Sequence, residues 1–182
     1  MNILICGSGI LGKALYTQLN SHKNIFVELL SLRQCEFSFF KQKFNNLGEK
    51  DIFIDSMDPN DINESFNKSI YEKALMFREY ALRNSYETSF YYLSTSNLYK
   101  PSLGFINELS EINSAKSPYL TMKFNNEQLI KDYCKSNFAL LRLVNVWQSE
   151  ASNSFFGLIS SAADIFLNCS NFLSVNSEKG LS

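Results

Sequence analysis

The chain has 182 residues and a formal net charge of −1, with 45% hydrophobic, 14% aromatic and 19% charged residues. This length supports one sizeable hydrophobic core, and the balanced charge without a basic stripe argues against nucleic acid or an anionic membrane as a partner. One histidine and four widely spaced cysteines predict neither a zinc site nor a disulfide framework, so we expect reduced thiols and no metal.

Apolar runs and helical patterns alternate along the chain from residue 2 to about residue 147. In chain order, the pattern predicts a strand at 2–6, a helix through Leu15 and Leu19, a strand at 25–32, a helix at 38–48 capped by Gly48, a strand at 51–57, a helix at 63–85, a strand at 89–96, a helix at 118–136 and a strand at 138–147. Parallel neighbouring strands need crossover connections, so this order predicts an α/β fold, a three-layer, doubly wound parallel sheet. We expect a domain over residues 1–150 and a short tail over 151–182.

Residues 7–12 read Gly-Ser-Gly-Ile-Leu-Gly and match the pattern GxGxxG between the first strand and the first helix. Gly7 would permit a tight turn, Gly9 would let the backbone approach a pyrophosphate, and Gly12 would allow close packing of helix on strand. The free N–H groups at the start of the helix would bind the phosphates. The pattern therefore predicts an NAD(P)-binding Rossmann fold, with a plain tight turn as the alternative; the residues expected beside the cofactor are Gly7, Gly9, Ile10, Leu11 and Gly12.

The end of the second strand indicates which cofactor is bound. A carboxylate there would bind the adenosine ribose 2′-OH and favour NAD, but the sequence reads Ser31-Leu32-Arg33, and Glu28 falls earlier, within the strand. A guanidinium binds phosphate well, so Arg33 could pair with a 2′-phosphate. We predict NADP in preference to NAD, with Ser31 and Arg33 beside the adenosine; an exposed loop arginine is the alternative.

The segment SPYLTMK places a tyrosine and a lysine four residues apart. Ser117 suits an N-cap and Pro118 suits the first helical position, so a helix should begin there. Tyr119 and Lys123 would then share one face of this helix. Upstream, the hydroxyl residues 94–96 end a predicted strand, and ligands of parallel α/β sheets bind at the carboxyl ends of the strands.

Together these features resemble the short-chain dehydrogenase/reductase superfamily, in particular its extended and atypical branch of nucleotide-sugar epimerases, dehydratases and dTDP-sugar reductases. The resemblance covers residues 2–148. It rests on the three glycines, on LSTSNLY at 93–99, on SPYLTMKFNNEQL at 117–129, and on LLRLVNVW at 140–147, which is similar to the family's R-x-x-N-V-Y strand through Arg142 and Asn145.

The resemblance implies a catalytic role for three residues. Tyr119 would be the general acid/base that exchanges a proton with a substrate oxygen while hydride moves to or from the nicotinamide. Lys123 would stabilise the phenolate and hold the nicotinamide ribose. Thr95 would donate a hydrogen bond to the substrate oxygen, with Ser94 and Ser96 as weaker candidates. The alternative is a chance pairing of a helix start with a Ser-rich strand end.

The sequence departs from the family pattern after the third strand. Ser56, Met57 and Asp58 stand where the family usually has small Ala or Gly residues against the cofactor, and we place Ser56 and Met57 in the cofactor site. The family's asparagine on the next helix has no evident equivalent, and Asn67 and Ser69 are the nearest residues.

The resemblance implies an enzyme that acts on a nucleotide-linked sugar in surface polysaccharide biosynthesis, as an epimerase or a reductase. Dehydratases usually carry an acidic pair where this chain has Ser96-Asn97, so dehydration is the least favoured of the family's reactions. The compact link between the second and third strands resembles the sugar-reductase group and favours reduction. The chain ends soon after Trp147, so a truncated or non-catalytic NAD(P)-binding module is the alternative, and the apolar tail predicts a possible homodimer. With no basic leader and no bilayer-length apolar stretch, we expect a cytoplasmic protein without a membrane partner.

Overall fold

The structure, a computed structural model, describes residues 1–59, 65–100, 107–113, 117–134 and 137–143. In these residues the strands are β1 (Asn2–Cys6), β2 (Phe26–Leu30), β3 (Ile52–Asp55), β4 (Ser89–Thr95) and β5 (Phe138–Leu143). The helices between them are α1 (Ile10–Leu19), α2 (Phe37–Asn45), α3 (Ser65–Asn84) and α4 (Pro118–Tyr133). All neighbouring strands are parallel, in the order β2-β1-β3-β4-β5. The predicted doubly wound parallel sheet is confirmed.

The sheet is covered on both faces because its strands are apolar on both faces. Alternate residues of a strand point to opposite sides. Leu4 of β1 packs on the side of α2, α3 and α4, whereas Ile5 packs on the side of α1. Helices on both sides of one sheet give the three layers that the alternating pattern predicted.

Stacked aromatic rings form the larger of the two cores. The ring centroid of Phe40 on α2 lies 4.4 Å from that of Phe77 on α3 and 5.9 Å from that of Phe53 on β3. All three side chains are fully buried, and burying one such ring contributes about 2 kcal/mol. Ring packing therefore holds α2 and α3 against β3, whose carboxyl end carries part of the site described below.

The structure corrects one predicted helix end. Helix α2 ends at Asn45 with Asn46 as its C-cap, so the prediction that Gly48 caps this helix is wrong. The Gly48 N–H donates instead to Oδ2 of Asp51 at 3.0 Å, which closes the turn into β3. The last four residues of the strand predicted at 138–147, the tail at 151–182 and the homodimer surface expected on that tail lie outside the described residues.

The described residues contain no group of three or more His, Cys, Asp or Glu side chains that could hold a metal ion. No helix among them is long and apolar enough to cross a membrane. Cys6 and Cys35 are buried free thiols. Burial raises the pKa of both thiols, and a buried cysteine with a raised pKa is a poor nucleophile.

Candidate functional site

A cleft of about 960 Å³ is lined by residues that follow β1, β2, β3 and β4. The strand order reverses between β1 and β3, and this switch point is where ligands of open α/β sheets bind. Most of the predicted site residues line this one cleft, namely Gly7, Gly9, Ile10, Leu11, Ser31, Arg33, Ser56, Met57, Thr95, Tyr119 and Lys123. Gly12 is the predicted cofactor residue that does not line the cleft.

The glycine turn has the close packing and the open side that its sequence predicts. Gly7 has a φ of +114°, and a Cβ there would lie 2.0 Å from the Ser56 carbonyl oxygen. A Cβ on Gly12 would lie 1.8 Å from the Gly7 carbonyl oxygen, so the first turn of α1 can approach the loop only without a side chain. Gly9 is the N-cap of α1, makes no side-chain capping bond, and would bring a Cβ within 4 Å of no described atom.

This geometry fits a bound pyrophosphate. The helix start carries free N–H groups and the positive end of the helix dipole. Because Gly9 has no side chain, nothing at that position stands between these N–H groups and the cleft. The glycine turn therefore offers the space and the donors that a dinucleotide needs.

The end of β2 carries the residues expected at the adenosine end. The Cys35 N–H donates to the Ser31 carbonyl at 2.8 Å, which turns the chain and leaves Ser31 and Arg33 lining the cleft. Glu28 lies within β2, as expected, and pairs with Lys43 at 2.7 Å. Lys13 also lines the cleft. Sequence reasoning missed Lys13, although its place directly after the last glycine of the pattern was a signal.

Helix α4 begins as predicted, and its start places the tyrosine and the lysine beside the cleft. Pro118 is its first residue, and Oγ of Ser117 accepts a hydrogen bond from the Leu120 N–H at 3.2 Å. Tyr119 is half-buried, whereas Lys123 is 7% exposed. Nζ of Lys123 lies 5.8 Å from the centroid of the Tyr119 ring, so the two side chains share one helix face.

Thr95 is the best placed of the three hydroxyl residues that end β4. Its Oγ1 accepts a hydrogen bond from the Asn97 N–H at 3.3 Å, which leaves its own O–H able to donate, and both residues line the cleft. Ser94 also lines the cleft, but its hydroxyl donates to Oε1 of the buried Glu127 at 2.6 Å. Ser96 is not among the lining residues.

Arg142 anchors β5 to α4. Its Nε and Nη2 donate to Glu127 at 2.9 and 2.6 Å, and its guanidinium carbon lies 4.8 Å from the centroid of the Tyr99 ring. The hydrogen bonds to Glu127 raise the pKa of Arg142. Arg142 therefore holds α4 in place behind the cleft, whereas Asn145, the other residue of the predicted motif, lies outside the described residues.

The ammonium group of Lys123 is held between two buried acceptors. Its Nζ donates to the Leu93 carbonyl at 2.7 Å and lies 3.1 Å from Oδ2 of Asp58. The Tyr92 ring lies beneath it, with the centroid 4.9 Å from Nζ. Lys123 thus connects α4 to β4 and to the loop after β3.

Asp58 belongs to a buried ionic cluster with Asp55 and Arg78. Arg78 donates from Nε and Nη2 to Asp55 at 2.5 and 3.1 Å, and from Nη2 to Asp58 at 2.6 Å. Burial raises the pKa of the Asp55 carboxyl. Burial also acts to raise the pKa of Asp58, but the Arg78 and Lys123 cations outweigh it and hold that pKa well below its ordinary value. Sequence reasoning noted Asp58 only as a departure from the small residues that the family usually has there. It missed Arg78, a charged residue among the buried apolar residues of α3.

The residues flanking Asp58 account for the other departures after β3. Met57 is 3% exposed yet lines the cleft, and its N–H donates to Oδ1 of Asp55 at 3.1 Å. Asn67 on α3 also lines the cleft, whereas Ser69, the other candidate for the missing asparagine, is exposed and is not a lining residue.

Solved structures share this fold at low sequence identity. A dTDP-4-dehydrorhamnose reductase from Clostridium acetobutylicum matches with a TM-score of 0.67 and 17% identity over 92% of this chain and 69% of its own. A UDP-glucuronic acid 4-epimerase from Bacillus cereus, in complex with NAD, matches with a TM-score of 0.64 and 16% identity over 81% of this chain and 57% of its own. The Bordetella bronchiseptica enzyme WbmH, in complex with NAD⁺, matches with a TM-score of 0.66 and 15% identity over 93% of this chain and 72% of its own.

These matches extend to the fold alone. No protein-family model matches the chain, and no curated protein matches it in sequence. The resemblance to the epimerase and reductase branch is confirmed at the level of the Rossmann-like fold, and two of these neighbours are in complex with NAD.

Gly12→Ala is expected to destabilise the fold, and Gly9→Ala is the matched control. A methyl group at position 12 would overlap the Gly7 carbonyl, so α1 has to move away from the turn, at a cost of about 2 kcal/mol or more. Alanine at position 9 meets open space and should change the free energy of unfolding little. Urea unfolding of the three proteins measures both effects, and equal stabilities would contradict the close approach at Gly12.

Asp58→Asn is expected to lower the free energy of unfolding by about 3 kcal/mol at neutral pH, because it leaves buried cations undercompensated. The folded-state pKa of Asp58 is depressed, so its charge stabilises the fold fully above the unfolded-state pKa of about 3.9. This contribution is lost as the pH falls through the folded-state value. Urea unfolding of both proteins at neutral pH and near pH 3 tests this, and the difference between them should shrink in acid. A difference that grows in acid would refute the assignment.

Proposed function

We propose that the chain binds NADP in this cleft and catalyses hydride transfer to or from a nucleotide-linked sugar, as a reductase or an epimerase of surface polysaccharide biosynthesis. One observation carries the proposal: Thr95, Tyr119 and Lys123 line the same cleft as the glycine turn. A bound nicotinamide would supply the hydride chemistry. The side chains of this protein would bind the cofactor, orient the sugar and exchange a proton with its oxygen.

The cofactor would lie across the carboxyl end of the sheet. The N–H groups at the start of α1 would bind its pyrophosphate, and Gly9 leaves the space for it. Arg33 would pair with the 2′-phosphate and Ser31 would contact the adenosine ribose. Lys123 would hold the nicotinamide ribose. The neighbours in complex with NAD make NAD the second choice of cofactor.

Tyr119 would transfer the proton. It lies beside Lys123, whose Nζ is 5.8 Å from the centroid of its ring, and its phenol would exchange a proton with a sugar oxygen. The Thr95 hydroxyl would donate to the same sugar oxygen and hold it in line with Tyr119. These roles need both residues beside one substrate position, and the proposal is supported by the fact that both line the cleft.

Reduction is favoured over dehydration among the reactions of this fold. Asn97 lines the cleft where dehydratases usually carry an acidic residue, so the chain lacks that second proton-transfer group. The link from β2 to β3 contains only the short helix α2, which resembles the sugar-reductase group. The C. acetobutylicum structure is a dTDP-4-dehydrorhamnose reductase by name, and we infer a dTDP- or UDP-linked keto sugar as the substrate class.

Tyr119→Phe is expected to lower turnover by about 10²–10⁴-fold while leaving the dissociation constant of NADPH nearly unchanged, because only the proton-transfer group is lost. NADPH oxidation with a panel of dTDP- and UDP-linked 4-keto sugars measures turnover, and quenching of NADPH fluorescence measures binding. Tyr133→Phe, at the exposed end of the same helix, is the control and should behave as the wild type.

The result also separates the enzyme from a non-catalytic NAD(P)-binding module. Wild-type protein that binds NADPH but turns over no member of the panel would favour the module. Wild-type turnover that survives Tyr119→Phe would show that another residue transfers the proton.

Arg33→Ala is expected to weaken NADPH binding by about ten-fold and NADH binding hardly at all, since only the 2′-phosphate loses a charge-assisted bond. Arg83→Ala removes an exposed arginine of α3 whose side chain lies outside the cleft, and it should change neither constant. Titrating each variant with both cofactors makes the comparison. Equal losses for NADPH and NADH, or tighter binding of NADH by the wild type, would overturn the NADP preference.

A further inference from the structure

The ammonium group of Lys123 has three N–H donors. Among the described residues, two acceptors lie beside it, the Leu93 carbonyl and the Asp58 carboxylate. Both acceptors are buried, and Lys123 itself lines the cleft. One N–H donates to the Leu93 carbonyl and the ammonium forms an ion pair with Asp58, so the donors that these contacts do not use are available to a ligand in the cleft.

Asp58 is itself fixed on several sides. Its side chain is 1% exposed, and it accepts hydrogen bonds from Arg78 at 2.6 Å, from Asn126 at 3.2 Å and from the Tyr92 hydroxyl. Asp55 holds the other side of Arg78. The carboxylate therefore cannot follow the lysine if the lysine moves. The ammonium of a lysine is a point charge on a flexible stem. Because the Asp58 carboxylate is fixed, the ion pair with it restricts where the Lys123 ammonium can lie.

We propose that Asp58 is a positioning residue for Lys123 and that its carboxylate holds the ammonium at the wall of the cleft, within reach of the bound cofactor. The inference rests on the proposed function, because it gives Lys123 a cofactor to hold. Asp58 also lines the cleft, but its side chain is only 1% exposed, so we assign it a role through Lys123 and not at the reacting atoms. The carboxylate after β3, where small residues were expected, thus becomes part of the binding machinery.

The charges of the cluster agree with this role. Two carboxylates, Asp55 and Asp58, face two cations, Arg78 and Lys123, so the buried group is neutral as a whole. Without Asp58, Lys123 would keep only a neutral carbonyl as its acceptor, and a lysine has a long stem that can reach water. Loss of the carboxylate should therefore release the ammonium while α4 keeps its place, because Glu127 of this helix also binds Ser94 and Arg142.

A double-mutant cycle tests whether Asp58 acts through Lys123. NADPH dissociation constants are measured for the wild type, Asp58→Asn, Lys123→Met and the double variant. We expect Asp58→Asn to weaken NADPH by about ten-fold when Lys123 is present and hardly at all in the Lys123→Met background. The same loss in both backgrounds would make Asp58 a structural residue only and would overturn the proposal.

Asp55→Asn is the matched control. This variant removes a carboxylate that also binds Arg78 and lies three residues before Asp58. Among the described contacts, Asp55 makes none with Lys123. It should lower the free energy of unfolding and weaken NADPH binding clearly less than Asp58→Asn does. If Asp55→Asn weakens NADPH as much as Asp58→Asn does, general loosening of the cluster explains both, and the positioning role falls. If Asp58→Asn does not fold, Asp58→Glu displaces the carboxylate instead of removing it, and it should weaken NADPH binding when Lys123 is present and hardly at all in the Lys123→Met background.

A second measurement needs no cofactor. Trace acetylation with acetic anhydride, read by mass spectrometry, gives the reactivity of Lys123 relative to the exposed Lys131 on the same helix. An ammonium released from its two buried acceptors can reach the reagent in water, so Asp58→Asn should raise this ratio while Asp55→Asn leaves it unchanged. An unchanged ratio in Asp58→Asn would overturn the positioning role. Absence of NADPH and NADH binding by the wild type, with the ratio raised, would instead overturn the proposed function and leave Lys123 held for another ligand.

Discussion

The buried ionic cluster around Arg78 is the constraint on which the site depends. A buried charge is tolerated only with partners, and removing one partner costs several kcal/mol. Arg78 on α3 binds both carboxylates that follow β3, and Asp58 carries the connection on to Lys123 of α4. One neutral cluster thereby joins the central strand to two helices at the edge where the cleft opens. The position of the lysine follows from this cluster as much as from its own helix.

The two walls of the cleft are built by opposite means. The glycine turn depends on absent side chains, because backbone atoms of the loop after β3 and of the turn itself occupy the space that a Cβ would need at Gly7 and Gly12. The opposite wall depends on side chains that are present and fully paired, such as Glu127 with Arg142 and Ser94. The first wall suits a ligand that is bound by backbone N–H groups. The second wall suits chemistry that needs side chains held in fixed positions.

Sequence reasoning identified the elements well and their ends less well. The alternation of period-2 and period-3.6 patterns is a local property, so the strand and helix order could be predicted. The end of α2 could not, because Gly48 suits a C-cap by type, but the hydrogen bond that uses its N–H comes from Asp51. The cleft residues were found because each belongs to a short motif or follows a predicted strand, whereas Lys13 was missed although it directly follows the glycine pattern.

The sequence by itself determined the alternation of strands and helices, the glycine turn and the helix that Ser117 caps. Each of these features depends on residues that are close together in the chain. Only the tertiary structure decided what surrounds Lys123. Asp58 is 65 positions from Lys123 and 20 from Arg78 in the chain, and no local pattern predicts that three such residues meet. They meet because β3, α3 and α4 pack together at the carboxyl end of the sheet. Charges buried there must be paired, since an unpaired buried charge is costly.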